Sequence, residues 1–179
     1  SDIYQIRFDG GVIKETDFSY IRENMPDLST LLIKQNADIK FIDAHGNESY
    51  KVPDKAFFNM KNLKMVELNE WFTEIGTSAF EGTDKLSNLK LGDVSVIGDN
   101  AFAIQPGTGN KMTTISSSNV KTIGANAFAG RENLTNVTFR YVEDIGDRAF
   151  YNLPKIKSFA IYTYLKSIGP EAFAVQKGT

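Results

Sequence analysis

The side chains best suited to acid–base or metal chemistry in this 179-residue chain lie in one short stretch, Asp43, His45 and Glu48. Two carboxylates flanking an imidazole can relay a proton or hold a divalent cation. His45 is the sole histidine and there is no cysteine. That composition excludes a multi-histidine centre, a thiolate metal site, a cysteine nucleophile and a disulfide framework. Beside Gly46-Asn47, the three residues read as a solvated turn. Ser116, Ser117 and Ser118 offer hydroxyls without a base at a useful spacing, so a serine nucleophile is unsupported. No strand–Gly-loop–helix unit with a following lysine and hydroxyl surrounds Gly107-Thr108-Gly109, so it reads as a loop that accommodates the longer repeat. The triplets at Asn47, Asn133 and Asn136 match the glycosylation sequon, a pattern that arises often by chance. No catalytic residue, metal ligand or cofactor is expected, and the chain reads as a non-enzyme.

The remaining chemistry is that of recognition, and a repeat must position it. The dipeptide Ala-Phe occurs at Ala56, Ala79, Ala101, Ala127, Ala149 and Ala172, with gaps of 23, 22, 26, 22 and 23 residues. The last five are preceded by Ile-Gly-x-x, starting at Ile75, Ile97, Ile123, Ile145 and Ile168. A period of this length marks stacked supersecondary units. Upstream of each pair, apolar residues fall at relative positions 1, 4 and 6, as in Leu134, Val137 and Phe139. The last two alternate as a strand buried on one face should. The same spacing starts at residues 3, 28, 63, 86, 112, 134 and 156, which predicts seven strands in one parallel ladder. A second apolar column holds Phe72, Val94, Val120, Val142 and Leu165. The glycine after each isoleucine suits a positive φ or a close backbone approach. The x-x-Ala-Phe segment reads as a short helical turn, with its alanine and phenylalanine in the core.

The ends depart from this pattern. Residues 1–27 read as an N-terminal capping repeat, a strand and then a helix capped by Thr16 or Asp17. That helix carries Phe18, Ile21 and Met25 on one stripe and stops at Pro26. Residues 28–179 form the array, with an insertion at about 37–55. Phe173 is followed by six residues and no eighth strand, so the array is expected to fray or to continue in a longer parent.

The L-x-x-L-x-L segment followed by Φ-x-x-I-G-x-x-A-F over roughly residues 52–179 resembles the BspA-type, or treponemal-type, leucine-rich repeat. The N-terminal segment from Ile3 through Leu31 is similar, more loosely, to the capping region of such proteins from Bacteroides-like bacteria. The resemblance implies an α/β repeat solenoid, a right-handed array with one parallel sheet of about seven strands and short helical turns. It further implies an exported protein, at the cell surface or anchored in an outer membrane, that binds without catalysis and often adheres to host or matrix proteins. Two family preferences are missing. Met60, Thr83, Arg131 and Leu153 stand where cysteine is common, and Asn69, Gly92, Arg140 and Tyr162 where proline is common.

With the repeat phase in hand, candidate contacts follow. Outward strand positions form one column of Gln5, Thr30, Met65, Asn88, Thr114, Asn136 and Ser158. A second holds Arg7, Leu32, Glu67, Lys90, Ser116, Thr138 and Ala160. Asn88, Lys90, Thr114, Asn136 and Thr138 are the central partner-binding candidates. Seven strands about 4.8 Å apart and a width of about 10 Å give on the order of 300 Å². A partner takes about 800 Å², so a rim must contribute. The position before the second apolar column holds Trp71, Asp93, Asn119, Tyr141 and Tyr164, with Tyr162 two residues earlier. Trp71, Tyr141, Tyr162 and Tyr164 either cover the core or anchor a partner. The partner is a host or matrix protein, or alternatively a polysaccharide stacked on the aromatic rim. A net charge of −2 with interspersed signs gives no pull toward nucleic acid, and no apolar run is long enough to span a bilayer.

Overall fold

The computed structural model describes residues 4–33, 39–162 and 165–175. The chain opens with β1 (Gln5–Phe8), β2 (Gly11–Lys14), α1 (Glu15–Asn24), β3 (Thr30–Ile33), β4 (Ile39–Ile42) and β5 (Lys51–Val52). Longer and two-residue strands then alternate. They are β6 (Met65–Glu67), β7 (Glu74–Ile75), β8 (Asn88–Lys90), β9 (Val96–Ile97), β10 (Thr114–Ser117) and β11 (Thr122–Ile123). The last are β12 (Asn136–Phe139), β13 (Asp144–Ile145), β14 (Ser158–Ile161) and β15 (Ser167–Ile168). The result is a parallel-strand solenoid of about seven turns.

Seven of the nine strands longer than two residues, all but β2 and β4, fall where the 1-4-6 pattern places them, but they do not form one sheet. β1-β3-β6-β8 make one ladder and β10-β12-β14 another. No pairing joins β8 to β10 among the described residues. The interruption coincides with the longest Ala-Phe interval, 26 residues, where Gly107 and Gly109 turn at φ 79° and 71°. A second wall, absent from the sequence reading, is the six-stranded ladder β15-β13-β11-β9-β7-β5. Its residues are the recurrent isoleucines and their predecessors, with Val52 paired to Ile75 and Ile123 to Ile97. Two residues per repeat are too few to show a strand period. β2 of the N-terminal unit pairs with β4 of the insertion, and the two stand apart as a two-stranded sheet.

The Ala-Phe segments are turns rather than helical turns, and the hydrogen bonds explain why. The amide of each phenylalanine donates to the alanine carbonyl of the next coil, as Phe80 does to Ala101 (2.8 Å) and Phe102 to Ala127 (2.8 Å). That amide is therefore not available to an i−4 carbonyl. The residue before each alanine is left-handed, with φ between 53° and 57° at Lys55, Ser78, Asn100, Asn126, Arg148 and Glu171. A left-handed residue breaks a right-handed helix. The repeated glycine serves close approach. A Cβ on Gly98 would lie 2.8 Å from the Ile75 carbonyl oxygen of the preceding coil.

Between the walls, the six alanines are buried, and so are all the repeat phenylalanines but the last, Phe173. The rings stack face to face along the solenoid from Phe57 to Phe173, with centroids 5.0, 5.2, 5.3, 5.3 and 5.4 Å apart. At the N-terminal end α1 closes the stack, with Phe18 edge-on to Phe57 at 5.5 Å. The helix begins one turn earlier than the cap assignment placed it. Lys14 holds the N-cap position, and Asp17 lies inside the first turn, where its carboxylate accepts the Lys14 amide at 2.8 Å. An acidic residue there meets both the free amides and the positive end of the helix dipole, so Asp17 serves the helix start without being the cap. The helix ends before Pro26, as expected.

The interrupted repeat is repaired by a charge. Arg131 is fully buried. Its guanidinium donates from Nε to the Phe102 carbonyl (2.7 Å), and from its terminal nitrogens to the Thr83 carbonyl and hydroxyl (both 3.0 Å). In neighbouring coils the equivalent carbonyl is taken by the amide three residues on, as Thr83 takes Phe80 and Arg131 takes Phe128. The longer loop carries Gln105 away from that role, and Arg131 substitutes for it. Burial pulls this guanidinium down to about 9, opposed by the Asp84 carboxylate, so it stays protonated at neutral pH.

Two stability measurements test this account. Arg131→Ala opens a cavity and strands the Phe102 carbonyl, which should cost about 3–5 kcal/mol in urea unfolding, and Arg131→Met, which keeps the packing, about 1–3 kcal/mol. Lys55→Gly relieves a left-handed, solvent-exposed position and should raise stability by about 0.5–1 kcal/mol, whereas Lys55→Val should lower it.

Candidate functional site

The strand register assembles both predicted columns within each ladder. Gln5, Thr30, Met65 and Asn88 are successive partners, as are Thr114, Asn136 and Ser158. The second column runs Arg7, Leu32, Glu67 and Lys90, then Ser116, Thr138 and Ala160. Asn88, Lys90, Thr114, Ser116 and Asn136 are exposed and Thr138 is half-buried. The face is nevertheless divided, because Asn88 and Lys90 belong to the first ladder and Thr114, Asn136 and Thr138 to the second. Lys90 is paired with Glu67 at 2.9 Å, which neutralises the cation at the end of the first ladder. Arg140, just past β12, joins Ser116, Ser117, Ser118 and Thr138 around an open hollow on the second. The Ser117 hydroxyl accepts the Asn119 amide at 3.1 Å, so it shapes the turn.

The aromatic rim is less continuous than its repeat phase implied. Trp71 and Tyr141 are 37% and 47% exposed, directly before the buried Phe72 and Val142. Between their coils the same phase holds Asp93 and Asn119, joined by a 2.8 Å hydrogen bond from the Asn119 amide nitrogen. Tyr162 is 70% exposed. Tyr164 lies outside the described residues.

Trp71 instead has a partner that phase comparison does not find. Tyr50 lies parallel to it within 9°, with ring centroids 6.3 Å apart. The backbone aligns Tyr50 with Thr73, since the Thr73 amide donates to the Tyr50 carbonyl at 2.8 Å, so the Trp71 contact is diagonal. The signal available in the sequence was only that an aromatic precedes the degenerate first unit, Val52-Pro53-Asp54-Lys55-Ala56-Phe57. The two rings, with Ile39, Phe41 and Phe72, border a groove open to solvent. Lys40 and Glu48 meet at its mouth at 2.7 Å. Its hydrogen bond to the Glu48 carboxylate raises the Lys40 ammonium above its ordinary value.

Asp43, His45 and Glu48 do not converge. The Asp43 carboxylate accepts the Asn47 amide at 2.8 Å and the His45 amide at 2.9 Å, which holds its carboxyl below the usual range. These bonds close the turn at Gly46. Glu48 is engaged by Lys40, and no group of three ligating side chains suited to a metal ion occurs among the described residues.

No helix among the described residues is long and apolar enough to cross a membrane. No curated protein and no solved structure matches the chain significantly. The family described as the BspA-type leucine-rich repeat region matches in six copies, over residues 33–107 and 107–178. With those spans covering most of its length, the chain belongs to the BspA-type leucine-rich repeat family.

Proposed function

We propose that this chain is a non-catalytic recognition module that binds a protein partner, a host or matrix protein, through the polar strand face. The family is often one of surface protein-binding modules, generally without catalysis. The observation that carries the reading is the second ladder, where Thr114, Asn136 and Ser158 stand in register beside Ser116 and Thr138. Short polar side chains on paired backbone form a rigid, uncharged surface that loses little entropy on contact. Asn88 and Lys90 add a separate polar patch on the first ladder, with Tyr141 and Tyr162 as exposed anchors beside the second. An exported protein, held at the cell surface or the outer membrane, fits this role.

Purified matrix proteins immobilised for interferometry provide the test. At least one should bind, and Thr114→Arg together with Asn136→Arg should weaken it at least ~10-fold, about 1.4 kcal/mol. Both positions are exposed, so the unfolding free energy should move by less than about 0.5 kcal/mol each. Unchanged binding by a folded double variant would remove the strand face from the interface.

A further inference from the structure

We propose that the groove bordered by Tyr50, Trp71, Phe41 and Phe72 is a binding site for a neutral pyranose ring of a glycan, separate from the strand face. Two parallel aromatic rings border it, stacked with centroids 6.3 Å apart and so too close to sandwich a sugar, and each is more than a third exposed for contact. Its floor is apolar, with Phe41 and Phe72 buried beneath it. Its mouth is polar, carrying the Lys40–Glu48 pair and Ser49. Among the described residues, neither the Trp71 indole N–H nor the Tyr50 hydroxyl has a protein hydrogen-bond partner.

The complementary ligand is flat and apolar on its faces and rich in hydroxyls around its edge. A pyranose has that distribution. Its C–H faces stack on aromatic rings, and its hydroxyls can accept from Lys40 and the indole and donate to Glu48. A wholly apolar side chain would cover the ion pair without replacing its water, at a desolvation cost. An acidic sugar gains little, because Glu48 already neutralises Lys40. The ligand class is therefore an uncharged sugar. One ring contacting this area binds with a dissociation constant on the order of 1 mM, so useful affinity comes from a repeating glycan.

Trp71 is the only tryptophan in the chain, so its emission reports directly on the groove. Soluble oligomers of glucose, mannose and N-acetylglucosamine serve as probes, with oligogalacturonate as the acidic comparison and indole as the apolar one. At least one neutral oligomer should shift the emission saturably, and added salt should leave the response unchanged. By calorimetry, Tyr50→Ala should weaken that binding at least ~10-fold, and Tyr50→Phe should retain most of it. Thr114→Arg with Asn136→Arg should retain it fully, which separates this site from the strand face. The inference is overturned by no response to any neutral oligomer, by a response to indole or oligogalacturonate alone, or by undiminished binding in a folded Tyr50→Ala protein.

Discussion

Aromatic rings can stack through a whole protein only when the backbone repeats near a centroid spacing that offset parallel rings tolerate. Neighbouring strands lie about 4.8 Å apart, and the Phe57-to-Phe173 column advances by 5.0 to 5.4 Å per coil. Everything else accommodates that near-match. The preceding alanine is small and its carbonyl accepts the phenylalanine amide of the previous coil. The left-handed residue before it turns the chain tightly enough to deliver one ring per coil. The glycine beyond lets adjacent backbones touch. A helix at this corner would need far more width than a strand spacing provides, which is why the corner is hydrogen-bonded between coils instead of within them.

The same constraint explains the most unusual interior group. A repeat with extra residues must expel them without breaking the ring column, and Phe80, Phe102 and Phe128 remain stacked across it. The cost appears on the opposite wall, where β8 and β10 do not pair, and in one carbonyl that its own coil leaves unfilled. Arg131 reaches back to fill it. A family that often places cysteine at this position uses a compact side chain there. Here a long cation is accommodated, because the longer repeat leaves a polar space that an apolar residue would waste.

The division of the strand face shapes what the molecule can grip. Two shorter polar ladders and a separate aromatic groove offer distinct contacts in place of one uniform sheet. Asp43 and His45 take no part in either, since their hydrogen bonds are spent on building a turn. That turn still contributes indirectly. It returns the chain from β4 so that Lys40 meets Glu48 and Tyr50 lies against Trp71.

The spacing of Ala-Phe and of the 1-4-6 apolar pattern was enough to determine the solenoid, the strand positions, the buried spine and which side chains share an outward column. These are local, periodic properties, and hydrophobic burial enforces them in every coil alike. The tertiary structure alone decided three things. The short second ladder is two residues per coil and leaves no period to read. The corner conformation depends on hydrogen bonds to a neighbouring coil, which a single repeat does not contain. The Tyr50–Trp71 contact and the reach of Arg131 to Thr83 run diagonally or across two coils, so phase comparison misses them. The period specifies what every repeat has in common, and the distinctive features of this protein arise where its repeats differ and their side chains meet across coils.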